Sequence, residues 1–115
     1  MRLKDIAWAA GLIEGEGYLG WYTALRNTKR LPEIAVRMTD RDVVERLAAL
    51  FLQWQVYGPF QQSKQMRMRC PSCKPLWSAI VRGKKAIAWL LTIYPLLGLR
   101  RRAKAHALIT QWRYT

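Results

Sequence analysis

The chain has no acidic residue after Glu45. Its 115 residues carry 20 Lys and Arg against seven Asp and Glu, and all seven acids lie between Asp5 and Glu45. Seven Lys and Arg match them over the first 45 residues, so the whole formal excess of +13 belongs to Arg46–Thr115. A half-chain of one sign excludes a cationic partner and points to a polyanion, nucleic acid above all.

Other scarcities exclude other classes. One histidine, His106, and two cysteines, Cys70 and Cys73 in a single C-x-x-C, are too few for a four-ligand structural zinc site within one chain. The pair reads as two reduced thiols in a loop. No apolar run reaches the roughly 20 residues a membrane span needs. The longest, Ala86 to Leu97, contains Pro95. Gly11-x-x-x-Gly15 has the spacing of a membrane dimerisation motif, but Asp5 and Glu14 flank it too closely. The apolar run near the N-terminus is too short for a secretory signal and ends in acids. The expectation is an intracellular protein, cytoplasmic or of an organellar matrix, with no membrane partner. About half the residues are hydrophobic, enough for one small core, so residues 1–115 are expected to form a single domain.

What is present alternates between two periods. Lys4 to Glu14 reads as a helix offering Leu3, Ile6, Ala10 and Ile13 to a core. Tyr18 to Arg26 alternates, with Leu19, Trp21, Thr23 and Leu25 on one face and Tyr18, Gly20, Tyr22, Ala24 and Arg26 on the other. Asn27–Arg30 suits a hairpin turn. Pro32 to Met38 alternates again, Ile34, Val36 and Met38 inward and Glu33, Ala35 and Arg37 outward. Thr39 can cap a second helix, with Asp42 three residues on, and Val43, Val44, Leu47, Leu50, Phe51 and Trp54 form its stripe to about Gln53. Val56 to Phe60 is a strand broken at Gly58-Pro59. Leu76 to Arg82 is the best return strand, with Trp77, Ala79 and Val81 inward and Ser78, Ile80 and Arg82 outward, while Gln65 to Arg69 extends the third strand or lies in the loop. Lys84 to Leu97 is helical in the register of Ile87, Leu90, Leu91 and Tyr94. Arg100 to Trp112 is a last helix with Ala103, Ala107, Leu108 and Ile109 inward. The order α-β-β-α-β-β-α-α predicts an α+β fold, with helices layered on one face of an antiparallel sheet.

The most informative stretch is Ala9-Ala-Gly-Leu-Ile-Glu-Gly-Glu-Gly17. Ala7, Gly11 and Gly15 lie four residues apart and share a helix face. A glycine inside a helix costs about 1 kcal/mol relative to alanine, so Gly11 implies a backbone lying close against it. Two carboxylates, Glu14 and Glu16, follow at the helix end. There the dipole disfavours an acid, which argues for a functional role.

This stretch resembles the motif of the LAGLIDADG homing endonucleases and aligns with it position by position, Glu replacing each Asp. The likeness extends to Gly17-Tyr-Leu after the motif, to Val36-Arg-Met-Thr-Asp40, to Lys74-Pro-Leu-Trp77 and to Tyr94-Pro-Leu-Leu-Gly-Leu-Arg100. The family builds a saddle-shaped sheet, and one motif in so short a chain implies a homodimer whose axis runs along Ala7, Ala10, Gly11 and Gly15. The resemblance assigns Glu16 to a divalent metal, magnesium or manganese, with the Gly15 carbonyl in support and Glu14 as a capping or supporting acid. Arg100 matches a basic residue that stabilises charge near the scissile phosphate, and Asp40 a polar position that organises active-site water.

The implied activity is metal-dependent hydrolysis of both strands of a long pseudo-palindromic site in double-stranded DNA, by an enzyme encoded in a mobile intron or intein, or free-standing. Bases in the major groove would face Tyr18, Tyr22, Arg26, Glu33, Arg37, Arg67, Arg69, Ser78 and Arg82. Lys29 and Arg30 at the hairpin tip would hold phosphates. Gly20, Ala24, Ala35 and Ile80 offer no side-chain hydrogen bonds, which predicts relaxed specificity. The alternative is a non-cleaving binder of the same fold, an intron RNA maturase or a DNA-binding regulator.

Overall fold

In a computed structural model of the chain, residues 2–23, 29–53, 56–60, 68 and 74–113 are described. The first helix, α1 (Leu3–Glu16), is followed without a linking residue by strand β1 (Gly17–Thr23). Strand β2 (Arg30–Met38) returns antiparallel, and helix α2 (Arg41–Leu50) leads to strands β3 (Tyr57–Phe60) and β4 (Leu76–Arg82). Helix α3 (Lys84–Ile93), a 3-10 turn (Tyr94–Leu96) and helix α4 (Leu99–Arg113) complete the order. The sheet order is β1-β2-β4-β3, with antiparallel neighbours throughout. The architecture is the expected α+β layering. Among the described residues no helix is long and apolar enough to cross a membrane.

Strand alternation sets the two faces of the sheet. Leu19, Ile34, Val36, Ala79 and Val81 point at the helices and are buried. They meet Ala9, Ala10 and Ile13 of α1, Val44, Leu47 and Ala48 of α2, and Trp89, Leu90 and Ile93 of α3. Burying a side chain such as Ile13 or Leu90 contributes about 1.5–3 kcal/mol. Phe51, just past α2, meets Trp89 edge-on with centroids 5.1 Å apart, an arrangement that suits the ring quadrupoles. Arg46 lies 3.9 Å over Trp8 and 3.7 Å from Asp5, joining α2 to α1.

Several helical expectations shift. Asp40, not Thr39, is the N-cap of α2, and its side chain makes no capping bond. That helix ends at Leu50, and Trp54 lies outside the described residues. In α3, Trp89 and Ile93 face the core and Leu91 is exposed, because the helix ends at Ile93 before Pro95 and docks along Ala86, Trp89, Leu90 and Ile93. In α4, Ala105 and Leu108 are buried whereas Ala103 and Ala107 are exposed. Leu3 is exposed and Ala9 takes its place in the core.

Candidate functional site

Gly17 joins helix to strand in a space only glycine fits. A Cβ there would fall 2.5 Å from the Ile13 carbonyl oxygen and 2.9 Å from Ile13 Cα. Both are backbone atoms, which cannot swing aside. The Gly17 N–H donates to the same Ile13 carbonyl and closes the helix. The carbonyls of Glu14, Gly15 and Glu16 have no helical residue four positions on, so oxygen donors collect at this end.

Two connections tie the start of α4 to the junction, and a third is local to that segment. The Glu14 carboxylate accepts the Gly98 N–H at 3.1 Å. Arg101 donates to the Gly17 carbonyl. Arg102 turns back to the Leu97 carbonyl at 2.9 Å. Two of three consecutive arginines are thereby committed to backbone oxygens. Arg100 is exposed and makes no such bond among the described residues. It lines a recess of about 600 Å³ with Gly17, Tyr18, Leu19, Arg101, Ala103, Lys104 and Ala107. Lys104 adds a cation that the sequence reading did not single out. It lies one helical turn beyond Arg100, and that i,i+4 spacing was the available signal.

Glu16 is exposed and has neither a hydrogen bond nor an ion pair among the described residues. Asp40 is exposed at the same end of the sheet, because β2 ends at Met38, two residues beyond the partner of Gly17. The donor set at the α1 terminus is one free carboxylate and backbone carbonyls. These are hard oxygen ligands of the kind magnesium takes when it keeps water and phosphate in its remaining positions. Among the described residues, no three His, Cys, Asp or Glu side chains cluster to form an all-protein metal cage.

On α1, Ala7, Gly11 and Gly15 are exposed together with Leu3. A Cβ on Gly11 or Gly15 would meet nothing within 4 Å. The backbone expected against Gly11 is therefore not supplied by the described residues of the same chain. Ala10 differs: it is 2% exposed. The helix rotates it into its own core, so it offers no surface to a partner.

The face of the sheet away from the helices carries Tyr18, Tyr22, Glu33, Arg37, Ser78 and Arg82, as alternation predicts. Tyr57 and Phe60 of β3 join them and are exposed, two aromatics the sequence reading placed on a strand without assigning them a role. Arg37 lies 4.8 Å over Phe60, reaching from β2 across β4 to β3. Ser78 stands on β4 between the partners Arg37 and Tyr57 and is only 1% exposed. The sequence made it an outward residue. The face is right, but bulky neighbours on both sides bury it, and its Oγ has no hydrogen-bond partner among the described residues. Glu33 accepts a hydrogen bond from Arg82 Nε at 3.3 Å, and Arg82 also stacks 3.6 Å over Tyr22.

Arg30 has the strand parity of the inward residues and lies 4.9 Å over Trp21, which takes it off the outer face. Lys29 lies 5.9 Å from the Trp112 ring of α4. Arg26, Arg67 and Arg69 lie outside the described residues, as do Cys70 and Cys73. His106 is exposed on α4.

Solved structures with this arrangement include several homing endonucleases. The homing endonuclease I-CvuI, in complex with its target in 2 mM calcium, superposes with a TM-score of 0.70 over 97% of this chain and 69% of its own, at 15% identity. The homing endonuclease I-TnaI matches at 0.59 over 98% of this chain and 76% of its own, at 20% identity. The archaeal intron-encoded I-Vdi141I, complexed with DNA, matches at 0.57 over 88% of this chain and 62% of its own, at 14% identity. This is the LAGLIDADG homing endonuclease fold. No protein-family model matches the chain, nor does any curated protein sequence. At such low identity, the likeness to the LAGLIDADG homing endonucleases is one of fold.

Proposed function

We propose that this chain is a single-domain, single-motif protomer of a homodimeric, divalent-metal-dependent DNA endonuclease cutting both strands of a long pseudo-palindromic site. The observation that carries this reading is Glu16: an exposed carboxylate without a partner among the described residues, at the C-terminal end of a helix whose dipole disfavours it, in a fold whose solved examples include DNA complexes.

Glu16 would hold the metal, with the Gly15 carbonyl beside it. When bound there, a divalent ion supplies charge neutralisation at the scissile phosphate and a more acidic water. Arg100, exposed and adjoining Gly17 in the basic recess, would stabilise charge on that phosphate. As an arginine it stays protonated and does not act as a base. Asp40 would orient water from the same end of the sheet. The junction of Gly17 with Glu14, Gly98 and Arg101 keeps the acid in a fixed orientation. Pairing would run along the exposed α1 face of Leu3, Ala7, Gly11 and Gly15, where close backbone approach would offset the helical cost of two glycines. The outer sheet face would enter the major groove, and Lys84, Lys85 and Lys104 add cations for phosphates.

The test incubates the protein with a library of duplexes and magnesium, beside a Glu16→Gln variant. Cleavage by the parent alone supports an enzyme acting through Glu16. Binding with no cleavage by either protein replaces it with a non-cleaving binder of DNA or intron RNA. Sedimentation with and without DNA tests the dimer, and a strict monomer in both contradicts it.

A further inference from the structure

The outer face of the sheet holds one arginine in a fixed attitude. Arg82 faces Glu33 directly across the β2–β4 ladder. Its Nε–H donates to Glu33 Oε2 at 3.3 Å, and its guanidinium lies 3.6 Å over the Tyr22 ring on the far strand. One edge and one face of the plane are thus occupied, and the terminal Nη donors have no partner among the described residues. The Arg82 and Glu33 side chains are 31% and 12% exposed. The carboxylate is therefore largely covered and already accepting, which removes it as an acceptor for cytosine. The two arms are short and come from the next two strands on one side of β4, Glu33 from β2 and Tyr22 from β1, so they fix both the tilt and the rotation of the guanidinium.

The setting separates this arginine from phosphate contacts. Arg82 opens onto a recess of about 370 Å³ with Tyr57, Ile80, Gln53, Lys84 and Lys85. The recess lies where β3 stops pairing, since β3 meets β4 only at Leu76 and Ser78. Lys84 and Lys85 are exposed point charges suited to the backbone of a nucleic acid. The recessed, oriented fork between them and Tyr22 is suited to a planar ligand with two acceptors side by side. In the major groove only guanine presents that pair, O6 and N7.

Resting on the endonuclease reading, we propose that Arg82 reads one guanine in each half-site, with Glu33 and Tyr22 as the positioning residues that aim it. A guanidinium ordered before binding loses little side-chain freedom on contact, so discrimination at that base is steep. In the rows around it, Gly20, Ala35 and Ile80 offer no side-chain donor.

The experiment is selection of bound duplexes from a randomised library without divalent metal, followed by sequencing. The parent should enrich one guanine per half-site that Arg82→Ala and Arg82→Lys no longer enrich, a loss of about 5- to 100-fold at that position alone. Tyr22→Phe should retain the preference, while Tyr22→Leu and Glu33→Ala should lower it. With the unmodified protein, 7-deazaguanine at that position should weaken binding by at least about fivefold, and it should leave Arg82→Ala binding unchanged. A guanine preference that survives Arg82→Ala overturns the assignment. So does a uniform loss over all sequences with a shallower salt dependence, which marks a phosphate contact. If the parent binds no duplex at all, the endonuclease reading falls and this assignment falls with it.

Discussion

The Glu14 carboxylate accepts the Gly98 backbone N–H at 3.1 Å across 84 residues of chain. A Cβ on Gly98 would fall 2.6 Å from the other carboxylate oxygen. The acid and the glycine are therefore fitted to each other, and Gly98 immediately precedes the helix that carries Arg100 and Arg101.

Their coupling is measurable. Gly98→Ala pushes aside a flexible carboxylate rather than backbone, and Glu14→Gln weakens the same bond. Each should cost about 0.5–1.5 kcal/mol. The double variant should lose less than the sum, because the second change removes a contact the first has already broken. Urea unfolding of the four proteins measures this, and strict additivity refutes it.

Neighbouring arginines should behave differently. Arg101→Ala removes a charged donor from the Gly17 carbonyl in a part-buried setting and should cost about 1.5–3 kcal/mol of stability. Arg100→Ala, an exposed change, should stay within about 0.5 kcal/mol. It should instead reduce the slope of log affinity against log salt for duplex DNA by about 1. Thermal unfolding and salt titrations separate the two.

Two motif glycines should answer alanine with opposite signs. Gly17→Ala drives a Cβ into Ile13 backbone and should destabilise by about 1–3 kcal/mol. Gly11→Ala meets open space and should stabilise the single chain by up to about 1 kcal/mol. If α1 pairs with a second copy at this face, Gly11→Ala will also weaken self-association, and Gly11→Leu will abolish it. Denaturation and sedimentation check both halves.

The buried Ser78 hydroxyl has no partner among the described residues, so removing it sheds a desolvated group. Ser78→Ala should be neutral or raise stability by about 1 kcal/mol. A clear loss in urea unfolding would mean that the oxygen has a partner after all.

Much of this was legible in the chain, and the failures have physical causes. Leu76–Arg82 was bounded as it stands because strict alternation has few competing registers. Helix α4 was misjudged because alanine has little preference for either environment. A helix of arginines and alanines offers weak contrast, so Ala103 and Ala107 could not be told from Ala105. Ser78 was given the correct face and the wrong exposure, since burial there comes from Arg37 and from a third strand. Of the candidate site, Glu16 can be singled out in the chain as an acid at the unfavourable end of a glycine-bearing helix. The division of labour among Arg100, Arg101 and Arg102 cannot, because it depends on where the Gly17 and Leu97 carbonyls fall in space.

The immediate passage from α1 into β1 leaves no slack between the acid and the sheet. One extra residue inserted between Glu16 and Gly17 must either turn Glu16 by about 100° around the helix axis or slip the strand so that its two faces exchange. Substitutions along the outer face carry no such penalty, since they leave the backbone path unchanged. The molecule is thus built to tolerate rewriting of what it would recognise while forbidding any change of length at the place where it would act.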